Sequence, residues 1–305
     1  MHRSFFGLII LTLLLVSCGI SVPFVTTDIQ TPTAMMVATS SPVPPTMTAQ
    51  PTAIPLPKFT DSVSAIFLGD DQVLKVYRNP AEENNPIAQL EPHAVGISTS
   101  GKAQWEKGRL WIEIKLSQGG NGWVNADYVT ATISPTEFCN DPQVNQTLNA
   151  VIKAIKERDE NGLINTISPV HGLRIRYLWQ NPDVFLGTPE NLNGIFTAET
   201  SFDWGFDRSL NQSVHGSFSS IILPAIEPVL DGSNSLCDTL DQGIAADWSN
   251  GYIEWPPSYL NLNYIALYRP ASQEDALKWR TWAFGMEKIN SQYFLTTMVQ
   301  YKWNY

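Results

Sequence analysis

The chain has 305 residues, a formal net charge of -10 and only three cysteines. Its length is sufficient for two domains, and its acidity disfavours a nucleic-acid-binding role because phosphate backbones are bound by basic surfaces. The same charge disfavours electrostatic attraction to anionic lipid, so we expect any membrane attachment to come from a lipid group and not from a basic patch.

The segment 1–17 has the pattern of an export signal peptide. Arg3 supplies a positive charge, residues 5–16 are almost wholly apolar, and the small Ser17 precedes Cys18. The apolar run of about a dozen residues is shorter than the roughly 20 that a membrane-spanning helix needs. The alternative interpretation is an ordinary secretory signal in which the cysteine has no role.

The four residues from Leu15 to Cys18 resemble the lipobox of bacterial lipoproteins. The resemblance implies cleavage before Cys18, thioether lipidation of its side chain, and a mature chain attached to the extracytoplasmic face of the cell membrane. The lipoprotein pathway supplies more than one acyl chain, and two or more chains anchor a protein stably whereas one holds it only marginally.

Residues 18–57 are predicted to be the lipidated cysteine followed by a linker. Proline and threonine dominate this segment, and Asp28 is its only charged residue. A segment of this composition has no hydrophobic period and cannot bury a core. Because an extended proline-rich chain advances about 3.1 Å per residue, the linker would hold the folded part up to roughly 120 Å from the bilayer.

Residues 58–133 have the pattern of short β-strands joined by glycine-rich turns. From Leu110 to Leu116, aliphatic residues at every second position alternate with Trp111, Glu113 and Lys115, which is typical of a strand with two distinct faces. The predicted strands cover residues 73–77, 87–90, 110–116, 123–124 and 128–129. About 70 residues of this kind indicate a small all-β barrel.

The closing residues of this segment resemble the bacterial SH3-like (SH3b) family. That family ends with Gly-Trp-Val, a short polar turn and Tyr-Val, and the chain has Gly122-Trp123-Val124 followed by Tyr128-Val129. The opening strand departs from the family pattern, because Lys75 and Tyr77 stand where Asn and Arg are usual. Some members bind cell-wall peptide, so the resemblance implies peptidoglycan or an envelope protein as a partner.

Residues 134–305 are predicted to form a larger domain in which helices precede a curved antiparallel sheet. Asp141 and Pro142 favour a helix start, and apolar residues on one helical face follow from Val144 to Ile155. A second short helix is expected before Ser168. The predicted strands cover residues 264–268, 279–286 and 293–301, the last two joined by a hairpin at 288–291. The chain as a whole is therefore expected to be α+β.

This larger region resembles an uncharacterised domain of exported bacterial proteins. The matching segments are residues 171–177, 202–205, 215–218, 279–282 and 301–303. The resemblance implies no assigned activity. The order of a helix pair followed by a curved sheet resembles the cone-shaped fold of nuclear-transport-factor-2-like proteins, which implies a pocket inside the cone.

The cysteines predict one cross-link in the larger region. If Cys18 is lipidated, Cys139 and Cys237 remain, and two leftover cysteines in an exported chain indicate a disulfide. The alternative is a pair of separate buried thiols. On the chain-entropy account, a bridge that closes a loop of about 100 residues stabilises the fold by up to about 4.7 kcal/mol.

Motifs for catalysis and for cofactor binding are missing from the sequence. It has no glycine-rich phosphate loop, no His-Glu-x-x-His, no Cys-x-x-Cys and no Gly-x-Ser-x-Gly. No cofactor and no metal are therefore predicted. His215 has Ser213 and Ser217 beside it and Asp203 upstream, but a catalytic triad is defined by geometry and not by sequence neighbourhood.

The bland interpretation of His215, and equally of His171, is a loop histidine that bonds the backbone. Glu199, Asp203 and Asp207 are close in sequence and could act as paired carboxylates or bind calcium. A solvated loop is the alternative for these acids.

Tryptophan supplies the strongest hint of a ligand site in the larger region. Aromatic rings beside Asp and Asn can stack on sugars and often line pockets, although Trp more commonly fills cores. The candidate ligand-binding residues, at the edge of a pocket inside the cone, are Trp204, Asp203, Arg174, Arg176, Trp279 and Trp282.

The sequence therefore predicts a lipid-anchored extracytoplasmic binding protein. Its SH3-like segment would contact cell-wall peptide or a protein partner, and its C-terminal region would bind a ligand or partner. One alternative is a hydrolase of the wall or of an extracellular polymer, targeted by the SH3-like segment. Another is a structural component without a pocket. A carboxylate or Ser/His site converging at the base of a pocket would favour the hydrolase.

Overall fold

The N-terminal part of the computed structural model is a seven-stranded antiparallel sheet. The structure describes residues 56–57, 61–231, 234–237, 254–271 and 278–302, so Cys18, the signal segment and nearly all of the linker lie outside the described residues. The strands of this first sheet are β1 Ser62–Ala65, β2 Leu74–Tyr77, β3 Pro86–Leu90, β4 Ile97–Glu106, β5 Arg109–Lys115, β6 Asn121–Asn125 and β7 Val129–Ala131.

The strand order across the first sheet is β3-β2-β6-β5-β4-β1-β7. The two outermost strands, β3 and β7, do not pair with each other, so the sheet is open and the expected closed barrel is not formed. The central strand β5 buries Leu110, Ile112 and Ile114 in one hydrophobic core, as its alternation predicts. The hairpin from β4 to β5 turns at Lys107 and Gly108, both at positive φ, which is the backbone that a tight two-residue turn requires.

The second part of the chain, from residue 134, has four α-helices among its described residues, and all of them contribute buried side chains to one hydrophobic cluster. They are α1 Pro135–Asn140, α2 Pro142–Glu157, α3 Glu160–Ile164 and α4 Leu223–Leu230. The predicted start of α2 is confirmed, because the Asp141 side chain accepts a hydrogen bond from the Gln143 amide at 3.0 Å and caps the helix. The apolar face of α2 is buried, from Val144 at the first turn to Ile155 at the last.

The second sheet has six strands and is mainly antiparallel, as predicted. Its strands are β8 Leu173–Arg176, β9 Val184–Gly187, β12 Asn234–Cys237, β13 Tyr264–Arg269, β14 Arg280–Ile289 and β15 Gln292–Lys302, and a separate hairpin pairs β10 Phe202–Asp207 with β11 Gln212–Gly216. The order is β12-β13-β14-β15-β8-β9, with β8 and β15 parallel. The predicted hairpin is confirmed at Asn290 and Ser291, which join β14 to β15.

Helices and antiparallel sheets together make the described chain α+β. The helices do not all precede the strands, because α4 follows the β10–β11 hairpin along the chain. The predicted disulfide is confirmed: Cys139 in α1 is bonded to Cys237 in β12, and their Cα atoms are 5.7 Å apart. The bridge fastens the helical layer to the edge strand of the second sheet.

The two sheets pack against each other within one unit, Ala53–Tyr305. Ile66, which follows β1, is buried in an aromatic cluster of the second sheet. The Phe67 amide next to it donates to the Ser258 carbonyl oxygen at 2.6 Å. The predicted boundary after residue 133 therefore falls between two sheets that share buried side chains and backbone hydrogen bonds.

Candidate functional site

Trp204 and Trp282, two of the predicted ligand-binding residues, are core residues. Both have fully buried side chains in the main hydrophobic cluster of the second part. The Trp204 Nε1 donates to the Gly216 carbonyl oxygen at 2.9 Å, and the Trp282 Nε1 donates to the Ala225 carbonyl oxygen at 3.0 Å. Each ring thus fills the core and satisfies its one donor on the backbone.

Trp279 and Asp203, two more of the predicted ligand-binding residues, do not belong to that hydrophobic cluster. Trp279 is 3% exposed and belongs to the aromatic cluster at the contact with the first sheet. Asp203 is exposed on the β10–β11 hairpin, where its Oδ1 accepts from the Gly205 amide at 3.0 Å and lies 3.7 Å from the His215 Nδ1. That hairpin pair is open to solvent, as the solvated-loop alternative describes, whereas Asp207 on the same hairpin is buried and paired with Lys302, against that alternative.

Each of the three guanidinium nitrogens of Arg176 bonds an oxygen. Its Nε bonds the Asp183 carboxylate, and its two terminal nitrogens donate to the Trp179 carbonyl oxygen and to the Ser258 hydroxyl, each at 3.1 Å. The guanidinium also lies over the Tyr259 ring, 4.8 Å from its centroid. All five residues belong to the second part, so Arg176 ties β8 to neighbouring loops.

Arg174 lies two residues earlier on the same face of β8 and has very different surroundings. Its guanidinium carbon lies 4.7 Å from the Phe67 ring centroid and 5.0 Å from the Phe185 ring centroid. Its Nε is buried and has no hydrogen-bond partner. Of the six predicted residues, Arg174 alone lines one of the three cavities described below.

His171 forms a fully buried polar cluster between the two sheets. Its Nδ1 lies 2.8 Å from Glu287 Oε1 on β14, and its Nε2 lies 2.8 Å from the Ala126 carbonyl oxygen of the first sheet. Ser168 also bonds Glu287, and its Oγ accepts from the His171 amide at 2.9 Å. The backbone bond to Ala126 is the kind of contact that the loop-histidine interpretation describes.

The partners of His171 determine its protonation. When Glu287 is ionised, its carboxylate and the Ala126 carbonyl oxygen can only accept, so both ring nitrogens donate and the ring is an imidazolium. Burial alone would lower the pKa of His171, but the charge and hydrogen bond of Glu287, with the Ala126 carbonyl, raise it overall. With neither nitrogen available as a base, and Ser168 bonded to the acid, the cluster has the residues of a catalytic triad without its geometry.

The first sheet carries an open groove, which we call the outer groove, with a cavity volume of about 450 Å³. Its aromatic walls are Tyr77, Trp111 and Tyr128. Tyr77 and Trp111 pack edge to face at 5.8 Å between ring centroids and are nearly buried, whereas Tyr128 is 39% exposed. The Trp111 Nε1 is buried without a hydrogen-bond partner.

Charged side chains of both signs line the outer groove. Lys75 and Asp71 are exposed along β2 and the turn before it. Arg109 Nη1 and Glu83 Oε1 form an ion pair at 2.9 Å, and both side chains are about half exposed. Burial, followed by the negative charge of Glu83, raises the pKa of Tyr77, so its hydroxyl stays protonated.

A second cavity of about 390 Å³ shares Glu83, Arg109 and Trp111 with the outer groove and extends it toward the β4–β5 turn. The groove is therefore an elongated surface with an aromatic floor and charged rims. Strand alternation in β2 and β5 predicts which side chains share a face, but only the pairing of β6 with both strands brings the Tyr77 and Trp111 rings together.

A third cavity, which we call the seam cavity, has a volume of about 550 Å³ and lies where the two sheets meet. Arg174, His171 and Phe185 line it from the second part, and Trp105 and Asp127 line it from the first. Trp105 and Phe185 are each about half exposed. Sequence reasoning did not single out these two rings, and no local pattern distinguishes them from other strand aromatics.

The described residues were compared with the requirements of a metal site and of a membrane-spanning helix. Within the described ranges, no group of three or more His, Cys, Asp or Glu side chains is placed to hold a metal ion. No helix in the part of the chain that the structure describes combines the length and apolarity needed to cross a bilayer.

No family model, curated protein or solved structure matches this chain. The resemblance to SH3-like proteins therefore depends on sequence motifs alone, and the resemblance to nuclear-transport-factor-2-like proteins depends on the predicted order of helices and strands alone.

Proposed function

We propose that this protein is a lipid-anchored, extracytoplasmic binding protein whose SH3-like first sheet holds cell-wall peptide in the outer groove. The observation that carries the proposal is the groove itself, with Tyr77, Trp111 and Tyr128 along its floor and charges of both signs on its rims. Aromatic-lined grooves on small β-domains are a recurring way to bind extended peptides.

The charges favour a peptide that carries both amino and carboxyl groups, as wall peptides do. Lys75 can meet a carboxylate, and Asp71 can meet an ammonium group, at exposed positions where neither forms an ion pair with a described residue. The exposed Tyr128 ring can cover an apolar stem of the peptide. The contacts would thus combine ring packing with charge matching and require no enclosed pocket.

The anchor and the linker complete the proposal. Lipidation of Cys18 would keep the chain at the membrane, and a proline-rich segment from 20 to 57 would let the groove reach outward toward the wall. An SH3-like first sheet is supported by the Gly122-Trp123-Val124 motif, which lies within β6 beside the outer groove.

The decisive experiment is co-sedimentation of the whole chain with purified peptidoglycan. We expect Tyr128→Ala to weaken binding by about tenfold or more, since exposed tyrosines at a recognition surface often dominate affinity. The matched control is Phe206→Ala, because Phe206 is similarly exposed, at 43%, but lies on the β10–β11 hairpin away from the groove.

Two results would contradict the groove. One is wild-type protein that sediments no better than Tyr128→Ala, and the other is an equal loss with Phe206→Ala. Lys75→Gln tests the charge component, and we expect a smaller loss that shrinks further at high salt. Deletion of the first sheet would not replace these point variants, because it would also remove Ile66 and so expose the aromatic cluster of the second sheet.

The anchor is tested separately by cell fractionation. We expect the wild-type chain in the membrane fraction and Cys18→Ala outside it, with acyl groups adding mass to the N-terminal peptide. Retention of Cys18→Ala in the membrane fraction would contradict lipid anchoring and leave the groove proposal intact.

A further inference from the structure

We propose that the seam cavity binds a small ligand with a single carboxylate, and that Arg174 is the residue that binds the carboxylate. This second site is separate from the outer groove and does not depend on the function proposed for it.

Arg174 is a cation with no hydrogen-bond or ion-pair partner among the residues that the structure describes. No hydrogen bond or ion pair joins its side chain to any residue that the structure describes, and its Nε is buried with no acceptor. Buried polar groups in folded proteins are nearly always hydrogen-bonded, so an unsatisfied arginine donor beside a cavity indicates a missing acceptor.

The two aromatic rings fix how an acceptor would approach. Phe67 and Phe185 lie at 4.7 Å and 5.0 Å from the guanidinium carbon and cover the group by cation–π contact. Because aromatic rings occupy positions over the group, hydrogen bonding is left to the edge of the guanidinium plane. A carboxylate matches that edge with two parallel hydrogen bonds.

The other charges around the seam cavity favour a singly charged ligand. Asp127 and Glu190 contribute carboxylates to its wall, and these would repel a phosphate dianion. His171 is already neutralised by Glu287, and Arg109 is paired with Glu83, so neither offers a free positive charge. Arg174 is left as the unpaired cation of the wall among the described residues.

The size and surface of the seam cavity favour a compact body with a flat face. Its volume of about 550 Å³ is within the roughly 300–1,000 Å³ typical of small-molecule sites. The half-exposed rings of Trp105 and Phe185 offer apolar faces at its walls. Such a ligand could be the C-terminal end of a peptide or an acidic sugar, which share the carboxylate and the flat body.

Isothermal titration calorimetry with the full chain tests the site. The probes are N-acetylphenylalanine for a peptide end and glucuronate for an acidic sugar, each compared with its uncharged counterpart, N-acetylphenylalaninamide or glucose. We expect at least one acid to bind at least about tenfold more tightly than its counterpart. Which acid binds identifies the source of the carboxylate.

Variants assign the binding to Arg174. We expect Arg174→Gln to lose about tenfold or more in affinity for that acid, and the control Arg208→Gln, at an exposed arginine of the β10–β11 hairpin, to bind as wild type. Phe185→Ala, which removes one covering ring, should weaken binding without abolishing it. Tyr128→Ala should leave the acid bound, which separates this site from the outer groove.

The proposal is overturned if neither acid binds at about 10 mM, if acid and counterpart bind equally, or if Arg174→Gln binds as wild type. Loss of peptidoglycan binding with retained acid binding, or the reverse, distinguishes a failure of one site from a failure of the other.

Discussion

The region around Arg176 and the region around Arg174 lie on one face of a single strand and have opposite designs. Arg176 bonds the Asp183 carboxylate and two further oxygen acceptors. Arg174 is covered by Phe67 and Phe185, and its side chain bonds no acceptor in the described part of the chain. A cation whose three nitrogens each bond an oxygen stabilises the fold, whereas one whose buried Nε bonds no described acceptor beside a cavity is available to a ligand.

His171 extends the comparison within the seam cavity itself. It lines the same cavity as Arg174, yet its two nitrogens and its charge are matched by Glu287 and the Ala126 carbonyl oxygen. Type of residue and position at a cavity are therefore not sufficient to indicate a site. The inventory of partners distinguishes the two, and it can be tested through stability.

The largest effect is expected from Glu287→Gln. This change leaves the His171 imidazolium without its counter-charge in a fully buried position, and breaking one partner of a buried ion pair typically costs about 3–5 kcal/mol. Urea unfolding of the wild-type and variant chains measures the loss. The matched control, Glu190→Gln, removes an exposed acid at the seam cavity and should change stability by less than about 0.5 kcal/mol.

A loss of unfolding free energy below about 1 kcal/mol for Glu287→Gln would mean that His171 and Glu287 do not form a buried ion pair. His171 would then no longer serve as the paired cation that is compared with Arg174.

Arg176→Gln is expected to have the next largest effect. Its guanidinium is only partly buried, so we expect about 1.5–3 kcal/mol, the usual range for hydrogen bonds to a charged group. The same denaturation experiment applies. Asp183→Asn provides a second approach to the same pair, and the double variant should lose less than the sum of the two single variants. Additive losses would indicate that the pair is not coupled.

The pH dependence of stability sharpens the assignment of His171 as an imidazolium. Because its pKa is raised in the folded state, its contribution is fully present below about pH 6.5, the ordinary histidine value, and is lost as the pH rises through the folded pKa. When the free energy of unfolding is measured at a series of pH values from 6 upward, the value for the wild type should therefore fall relative to that of His171→Gln. A difference that grows with pH would contradict the imidazolium.

Much of the local structure could be predicted from residue patterns. Asp141 followed by Pro142 predicts the start of α2, the apolar spacing predicts its buried face, and the cysteine count predicts the disulfide. The strand β4 was not predicted, because only Thr99 of its ten residues is buried and the strand shows no apolar alternation. The helix α4 was not predicted from the sequence, because Pro224 and Pro228 lie within its eight residues and proline disfavours a helix interior.

The candidate sites could be predicted only in part, because partners are set by non-local packing. Arg174 and Arg176 occupy equivalent positions in the sequence pattern, and only the fold brings Ser258, 82 residues away, to one of them. Trp204 and Trp282 are of the residue type that stacks on sugars, but both rings are buried in the core and have no contact with solvent. Burial and pairing across the chain are the properties that residue types alone do not encode.

The smallest effect is expected from Arg174→Gln, and it is the direct counterpart of Arg176→Gln. The variant loses cation–π contacts worth about 0.5–1 kcal/mol, and it also removes a buried donor that has no acceptor, so the two effects oppose each other. We expect a net change below about 1 kcal/mol in urea unfolding without added ligand, with Arg208→Gln as the exposed control. A loss as large as that of Arg176→Gln would show that Arg174 has a partner that stabilises the fold, and the distinction between the two arginines would fail. If the loss is small, the carboxylate that binds Arg174 should raise the stability of the wild type and not that of the variant, because only a ligand that binds the folded state shifts the unfolding equilibrium.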